Sequence, residues 1–143
     1  MKIAVTGKGG VGKTTLAALL AQAYADMGRQ VLAVDADPSP CLAGALGFPP
    51  ELRQQLRPIA EMDALIEERT GAKVKQYGQV FKLNPEVSDI AENESANFRD
   101  IHLLVLGAVE SGGSGCACPE NVMLRALMTD VILYKDDCVI IDF

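Results

Sequence analysis

The chain has no surplus of positive charge, one histidine, four cysteines and no apolar run of membrane-spanning length. Each shortage excludes something. A net charge of −6 argues against broad non-specific DNA binding, which depends on neutralising phosphates with Lys and Arg, and against an anionic membrane surface as the main partner. The expected partners therefore include no nucleic acid and no membrane. No stretch approaches the roughly 20 apolar residues of a spanning helix, and Met1-Lys2-Ile3 already enters the first expected strand. The sequence thus predicts no signal peptide and a cytoplasmic location. Cys41, Cys116, Cys118 and Cys138 make no disulfide framework in such a reducing compartment, and only Cys116 and Cys118 are clustered. Clustered cysteines there more often mean metal or redox chemistry.

What is present begins with ordinary globular composition: 143 residues, 49% hydrophobic and 22% charged, enough for one domain with a real core. The organising stretch is Gly7-Lys8-Gly9-Gly10-Val11-Gly12-Lys13-Thr14-Thr15, which follows the apolar run Ile3-Ala4-Val5 and leads into a helix-forming segment from Leu16 to Met27. Strand, glycine loop and helix in that order fit the phosphate-binding P-loop, whose glycines let successive backbone N–H groups turn inward around a polyphosphate. The helix N-terminus after Gly12 adds partial positive charge at the same place. Gly9, Gly10, Val11, Gly12, Lys13, Thr14 and Thr15 are the expected nucleotide cradle. Lys13 would reach the β- and γ-phosphates of ATP, and the Thr14 hydroxyl would help hold the bridging Mg²⁺.

Gly28 supplies a helix stop, and Gln30 to Val34 reads as a buried strand running into Asp35-Ala36-Asp37-Pro38. A strand–helix–strand unit implies a parallel sheet with a right-handed crossover and ligands at the carboxyl ends of the strands. Asp35 and Asp37 therefore face the nucleotide end, as Mg²⁺ holders through water or as orienters of the attacking water. Asp35 reads equally as a helper and as a structural strand-end carboxylate. Ile59 to Thr70 has helical spacing and Gly71 ends it; Lys73 to Asn97 reads as an insertion with a short hairpin or loop around Val80-Phe81-Lys82-Leu83. The acidic cluster of Asp89, Glu92 and Glu94 reads as solvated surface. Ile101 to Leu106 is a buried parallel strand, with the lone His102 near its start in a structural role.

Ser111-Gly112-Gly113-Ser114-Gly115-Cys116-Ala117-Cys118-Pro119-Glu120 then forms a loop before a helix running to about Tyr134. Pro119 suits the first helical position, which puts Cys118 at or beside the N-cap, where thiolate is favoured. Two thiolates are half of a closed four-ligand site. Two copies of the chain could supply all four sulfurs on a two-fold axis, and a structural or redox pair is the other reading. Cys138-Val139-Ile140-Ile141-Asp142 is a strand ending in an acidic residue, the Walker B pattern, whose Asp142 would bind Mg²⁺ through water.

Lys-Gly-Gly-Val-Gly-Lys-Thr resembles the deviant P-loop of the superclass containing the nitrogenase iron protein and the ParA and MinD proteins. That resemblance implies that Lys8 crosses a dimer interface to the partner's nucleotide and couples ATP binding to dimerisation. Asp37-Pro38 resembles the switch I segment of this group, which implies that Asp37 orients the attacking water. With Glu67-Glu68-Arg69-Thr70-Gly71, Phe81-Lys82-Leu83-Asn84-Pro85 and Gly112 to Asn121 added, the chain resembles the CooC family of carbon monoxide dehydrogenase accessory ATPases over nearly its whole length. The resemblance implies an α/β P-loop NTPase with a mainly parallel sheet flanked by helices. It also implies a homodimeric ATPase that inserts nickel into carbon monoxide dehydrogenase or the related acetyl-CoA synthase, with Lys8, Lys13 and Asp37 in catalysis and Cys116 and Cys118 as ligands of Ni²⁺ or Zn²⁺.

Cys41 and Cys138 match no motif of that family and read as buried small side chains. The family's switch II and adenine pocket would follow Asp142, so residues 1–143 read as one domain truncated after the Walker B strand. Its last strand is expected at or near a sheet edge with poorly covered backbone and apolar face, and slow ATP turnover is expected. The rivals are a ParA- or MinD-like positioning ATPase and an iron–sulfur electron donor. In the iron protein the cluster cysteines lie on separate loops, unlike Cys116 and Cys118.

Overall fold

The computed structural model describes residues 1–107, 118–135 and 138–143. The first strand, β1 (Lys2–Val5), leads through the glycine loop into α1 (Lys13–Asp26) and then β2 (Val31–Asp35). α1 stops where the sequence says it should: Gly28 takes φ +78°, and the N–H groups of Met27, Gly28 and Arg29 return to the carbonyls of Ala23, Ala25 and Tyr24. It buries Ala17, Ala18 and Ala21, small residues that let the helix lie close on the sheet.

Beyond β2 come α2 (Leu42–Ala45), α3 (Pro50–Gln55), a 3₁₀ turn at Ile59–Glu61, α4 (Asp63–Thr70) and α5 (Ile90–Asn93). The chain then enters β3 (Ala96–Phe98), β4 (Ile101–Val105), α6 (Pro119–Tyr134) and β5 (Cys138–Asp142). The strands form one sheet in the order β1-β5-β2-β4-β3, parallel except for the β3–β4 pair. Helices cover both faces. One face packs Val31, Ala33, Leu103 and Ile140 against α1, α2 and Phe48; the other packs Leu32, Val34, Leu104, Val139 and Ile141 against Ile59, Ile66, Met123, Leu127 and Val131. This is the expected α/β layout, with β2, β4 and β5 reading as continuous apolar runs because both of their faces are covered.

Four expectations need correction. β5 does not present an uncovered backbone and apolar face: it lies between β1 and β2, pairs with both, and all five of its residues are buried. Its composition, apolar at every position before Asp142, already suited a strand covered on both faces. Among the described strands the open edge beside it is β1, where Lys2 and Ala4 are exposed. Of the two readings for 80–83 the loop holds, since no strand forms there, and the hairpin lies between β3 and β4, turned by Arg99 and Asp100 at φ +52° and +62°. Val80 and Leu83 are exposed, whereas Val87, Ile90 and Ala91 enter the core, so 73–97 is in part a core element. The expected 59–70 helix breaks at Met62, whose ψ of 70° leaves helical space and lets both Ile59 and Ile66 reach the core. Finally, Cys41 is exposed at the start of α2, while Cys138 is buried as expected.

The acidic cluster is also more engaged than a solvated surface. Arg69 grips both oxygens of Asp89 at 2.7 Å, and Lys135 reaches Glu92 at 3.0 Å, so the 86–94 segment is tied to α4 and to the end of α6. His102, second in β4, lies opposite Asn97 with its Nε2 3.3 Å from the amide nitrogen, a cross-strand contact far from the strand's carboxyl end.

Candidate functional site

Parallel strands bring four carboxyl ends into one row. Val5 pairs with Asp142, which pairs with Asp35, which pairs with Val105. The backbone continues the row, since Phe143 donates to the Val5 carbonyl, Ala36 to Asp142 and Leu106 to Asp35. The glycine loop therefore leaves β1 one strand away from Asp142 and two from Asp35.

In the loop, Gly10 and Gly12 take φ of +80° and +93°, left-handed backbone that a side chain would strain. Gly12 is the N-cap of α1 and no side chain caps the helix, which leaves its first-turn N–H donors available to an anion. Lys8, Gly9, Gly10, Val11, Gly12 and Thr15 are exposed, while Lys13 and Thr14 are half-buried. All of the expected cradle residues thus sit on one turn at the carboxyl end of the sheet.

The two strand-end carboxylates are 1% exposed, yet their surroundings differ. Asp142 keeps one buried oxygen, Oδ1, without any hydrogen-bond partner. An orphaned carboxylate oxygen beside a phosphate loop fits a hydrated Mg²⁺, which would satisfy it. Asp35 instead accepts the Leu42 N–H on Oδ2 at 2.9 Å and the Asp37 N–H on Oδ1 at 3.3 Å. Burial pushes its carboxyl above the usual range, the two N–H groups pull it back, and the neighbouring Asp142 charge adds to the rise. Asp37, half-buried, accepts the Ser39 N–H at 2.7 Å, so the residue expected to orient water sits in an ordered turn.

Cys118 is the N-cap of α6 and Pro119 its first residue, as the sequence predicts, on the connection that leaves the carboxyl end of β4 and returns as α6. Cys116, the other expected ligand, lies outside the described residues with the rest of 108–117. Among the described residues no three metal-ligating side chains come together. Sequence reasoning missed two features. Glu120, two residues after Cys118, is buried with Oε2 unpartnered; an acid in a helix's first turn was its only local signal. The reach of Asp35 to Leu42 has no sequence signature, because it spans a loop of irregular backbone.

The model of the CobQ/CobB/MinD/ParA nucleotide-binding domain family matches residues 2–132. The chain belongs to that family. Among curated relatives, this CobQ/CobB/MinD/ParA-type domain is 48% identical to the carbon monoxide dehydrogenase accessory protein CooC of Rhodospirillum rubrum, over 99% of the chain and 54% of that protein. It is 46% identical to an uncharacterised ATP-binding protein of Methanocaldococcus jannaschii, again over 99% of the chain and 54% of the relative. Nitrogenase iron protein 2 of Methanothermococcus thermolithotrophicus is 26% identical over 94% of the chain and 42% of its own length. The domain thus spans about half the length of the curated relatives it matches.

Proposed function

We propose that this domain works as the nucleotide-binding part of an ATPase that delivers nickel to carbon monoxide dehydrogenase or a related nickel enzyme. The observation that carries the reading is the 48% identity to CooC across 99% of the chain, on a sequence that holds both the P-loop and the Cys-Ala-Cys pair.

The chemistry follows from the residues. Backbone N–H groups of Gly9 to Gly12 and the first turn of α1 bind the ATP phosphates, and Lys13 neutralises the β- and γ-phosphates. Lys8, exposed in the same loop, contacts the nucleotide of a second copy and makes closure of a homodimer depend on ATP. Thr14 and Asp142 would hold a hydrated Mg²⁺, which would supply charge neutralisation at the γ-phosphate, and Asp35 is the neighbouring strand-end carboxylate. Asp37 orients the attacking water. Loss of the γ-phosphate removes the contacts that hold the closed form, and the dimer opens.

Nickel is the cargo in this reading. Cys118 at the N-terminus of α6 has the setting that favours thiolate, and with Cys116 and the same pair from a second copy it completes a four-sulfur site. Zn²⁺ suits the same ligands. The test is nickel-dependent activation of metal-free carbon monoxide dehydrogenase by the protein with MgATP. Activation that survives both Lys13→Ala and the Cys116→Ser, Cys118→Ser pair would refute the reading. The similarity to nitrogenase iron protein 2 favours a second reading, electron transfer through an iron–sulfur cluster. Visible absorption gained with iron and sulfide but no nickel uptake would favour that one.

A further inference from the structure

The segment that follows β2 is tied down by a single side chain. Asp35 takes the N–H of Leu42, seven residues on, at 2.9 Å and the N–H of Asp37 at 3.3 Å. Within the ring so closed, Asp37 takes the N–H of Ser39 at 2.7 Å and the Cys41 thiol donates to the Ser39 carbonyl at 3.2 Å. Pro38 and Pro40 stiffen the same six residues by fixing φ. The far end is anchored as well: Leu42 is fully buried in the cluster that contains Ala17, Ala18 and Ala21 of α1, the helix that begins at the P-loop. Cys41, the N-cap of α2, makes no capping bond of its own, so the donor at the start of α2 is satisfied from β2.

Two carboxylates that look alike in the sequence therefore have different work. Asp142 keeps a buried oxygen without a partner, whereas both oxygens of Asp35 are engaged by backbone N–H groups of the segment carrying Asp37. The geometry points to Asp35 as a positioning residue that pins residues 36–42 and sets the place of Asp37, rather than as a holder of the metal. The importance of Asp37 rests on the ATPase reading; the pin itself does not.

The test is amide hydrogen exchange by mass spectrometry on the whole chain, without nucleotide or divalent cation, for wild type, Asp35→Ala, Asp35→Asn and Asp142→Asn. Asp35→Ala raises exchange across 36–46 about tenfold or more, the scale of losing hydrogen bonds to a charged acceptor, and leaves Ile101–Val105 within about twofold. Asp35→Asn, which keeps one accepting oxygen, raises it less and reads the pin if the alanine variant does not fold. Asp142→Asn leaves 36–46 unchanged.

A purely structural role is separated by adding a non-hydrolysable ATP analogue with Mg²⁺. The wild type gains protection over 36–46, and Asp35→Ala does not, although it binds the analogue with affinity within about threefold. Affinity for Mn²⁺ with ADP, read by electron paramagnetic resonance, falls about tenfold or more in Asp142→Asn and stays within about threefold in Asp35→Ala. Unchanged exchange over 36–46 in both Asp35 variants, or loss of Mn²⁺ in Asp35→Ala equal to that in Asp142→Asn, overturns the pin. Mn²⁺ affinity unmoved by Asp142→Asn counts against the metal site of the function proposed above, and leaves the exchange result to judge Asp35.

Discussion

Gly107 closes β4 at the entrance to the segment that carries Cys116, and it offers a measurable test of how tightly that entrance is built. Its φ is +73°, and a Cβ added there would lie 2.7 Å from Cβ of Pro58, with Ala60 Cβ at 3.6 Å. Pro58 cannot rotate away, because its Cβ belongs to a ring at the head of the 3₁₀ turn, and that turn is tied to β4 by the Ala60 N–H on the Leu106 carbonyl at 3.0 Å. Left-handed backbone costs an ordinary residue about 1–2 kcal/mol. A clash of this kind in a packed region adds about 1–3 kcal/mol. Gly107→Ala should therefore cost about 2–5 kcal/mol in all.

Gly47 supplies the control, since its φ of +76° is nearly the same and no atom lies within 4 Å of the added Cβ. Gly47→Ala should cost the backbone part alone, about 1–2 kcal/mol. Urea unfolding followed by circular dichroism reads both. With a slope of about 2 kcal/mol per molar, the midpoint falls by about 0.5–1 M for Gly47→Ala and about 1–2.5 M for Gly107→Ala. Equal midpoints for the two variants would refute the reasoning, because they would mean that the 3₁₀ turn gives way freely.

Lys13→Ala should weaken binding of a fluorescent ATP analogue about tenfold to a hundredfold, the scale of a lost charge-assisted contact to phosphate, with little change in the unfolding midpoint. Ile140→Ala, which empties a fully buried site in β5, should cost about 2–5 kcal/mol, whereas Val80→Ala at a 96% exposed position should stay within about 0.5 kcal/mol in the same urea assay. The Arg69 guanidinium, bonded to both oxygens of Asp89, holds that carboxyl down at about 2 instead of 3.8. A depressed folded-state value means that its contribution is complete above the unfolded value and is lost as pH falls from about 4 through about 2. Asp89→Asn should lower the midpoint at pH 7 and flatten the acid side of the stability profile across that window; an unchanged profile would contradict the pairing.

The legible parts were those where local backbone chemistry and tertiary context agree. Gly12, Gly28 and Gly71 sit at positive φ beside the helix ends where the sequence puts them, and Pro119 opens α6 with Cys118 before it. Strands β2 and β4 announced themselves as buried apolar runs. Strand order was not legible in the same way. β5 is expected at or near a sheet edge with its apolar face poorly covered; crossovers place it one strand in from the edge, between β1 and β2, and its own composition is the better guide to its covered faces.

Residues 73–97 failed for a related reason. A polar, turn-rich segment hides the three apolar residues, Val87, Ile90 and Ala91, that reach the core, while the visible apolar stretch at 80–83 has exposed Val80 and Leu83. The placing of Asp35 and Asp142 at the carboxyl ends of strands was readable, and the two strands pair directly. The difference between Asp35 and Asp142 was not, because it depends on which buried oxygens meet backbone N–H groups across a loop.

The proposed joining of an ATP site to a thiolate metal site in two copies of one chain is tested most directly by native mass spectrometry with Ni²⁺ and a non-hydrolysable ATP analogue, beside the Cys116→Ser, Cys118→Ser variant. The account predicts a nucleotide-dependent species with one metal ion per two chains, absent from the double variant. Metal held by single chains without nucleotide, or kept after both cysteines are replaced, would contradict it.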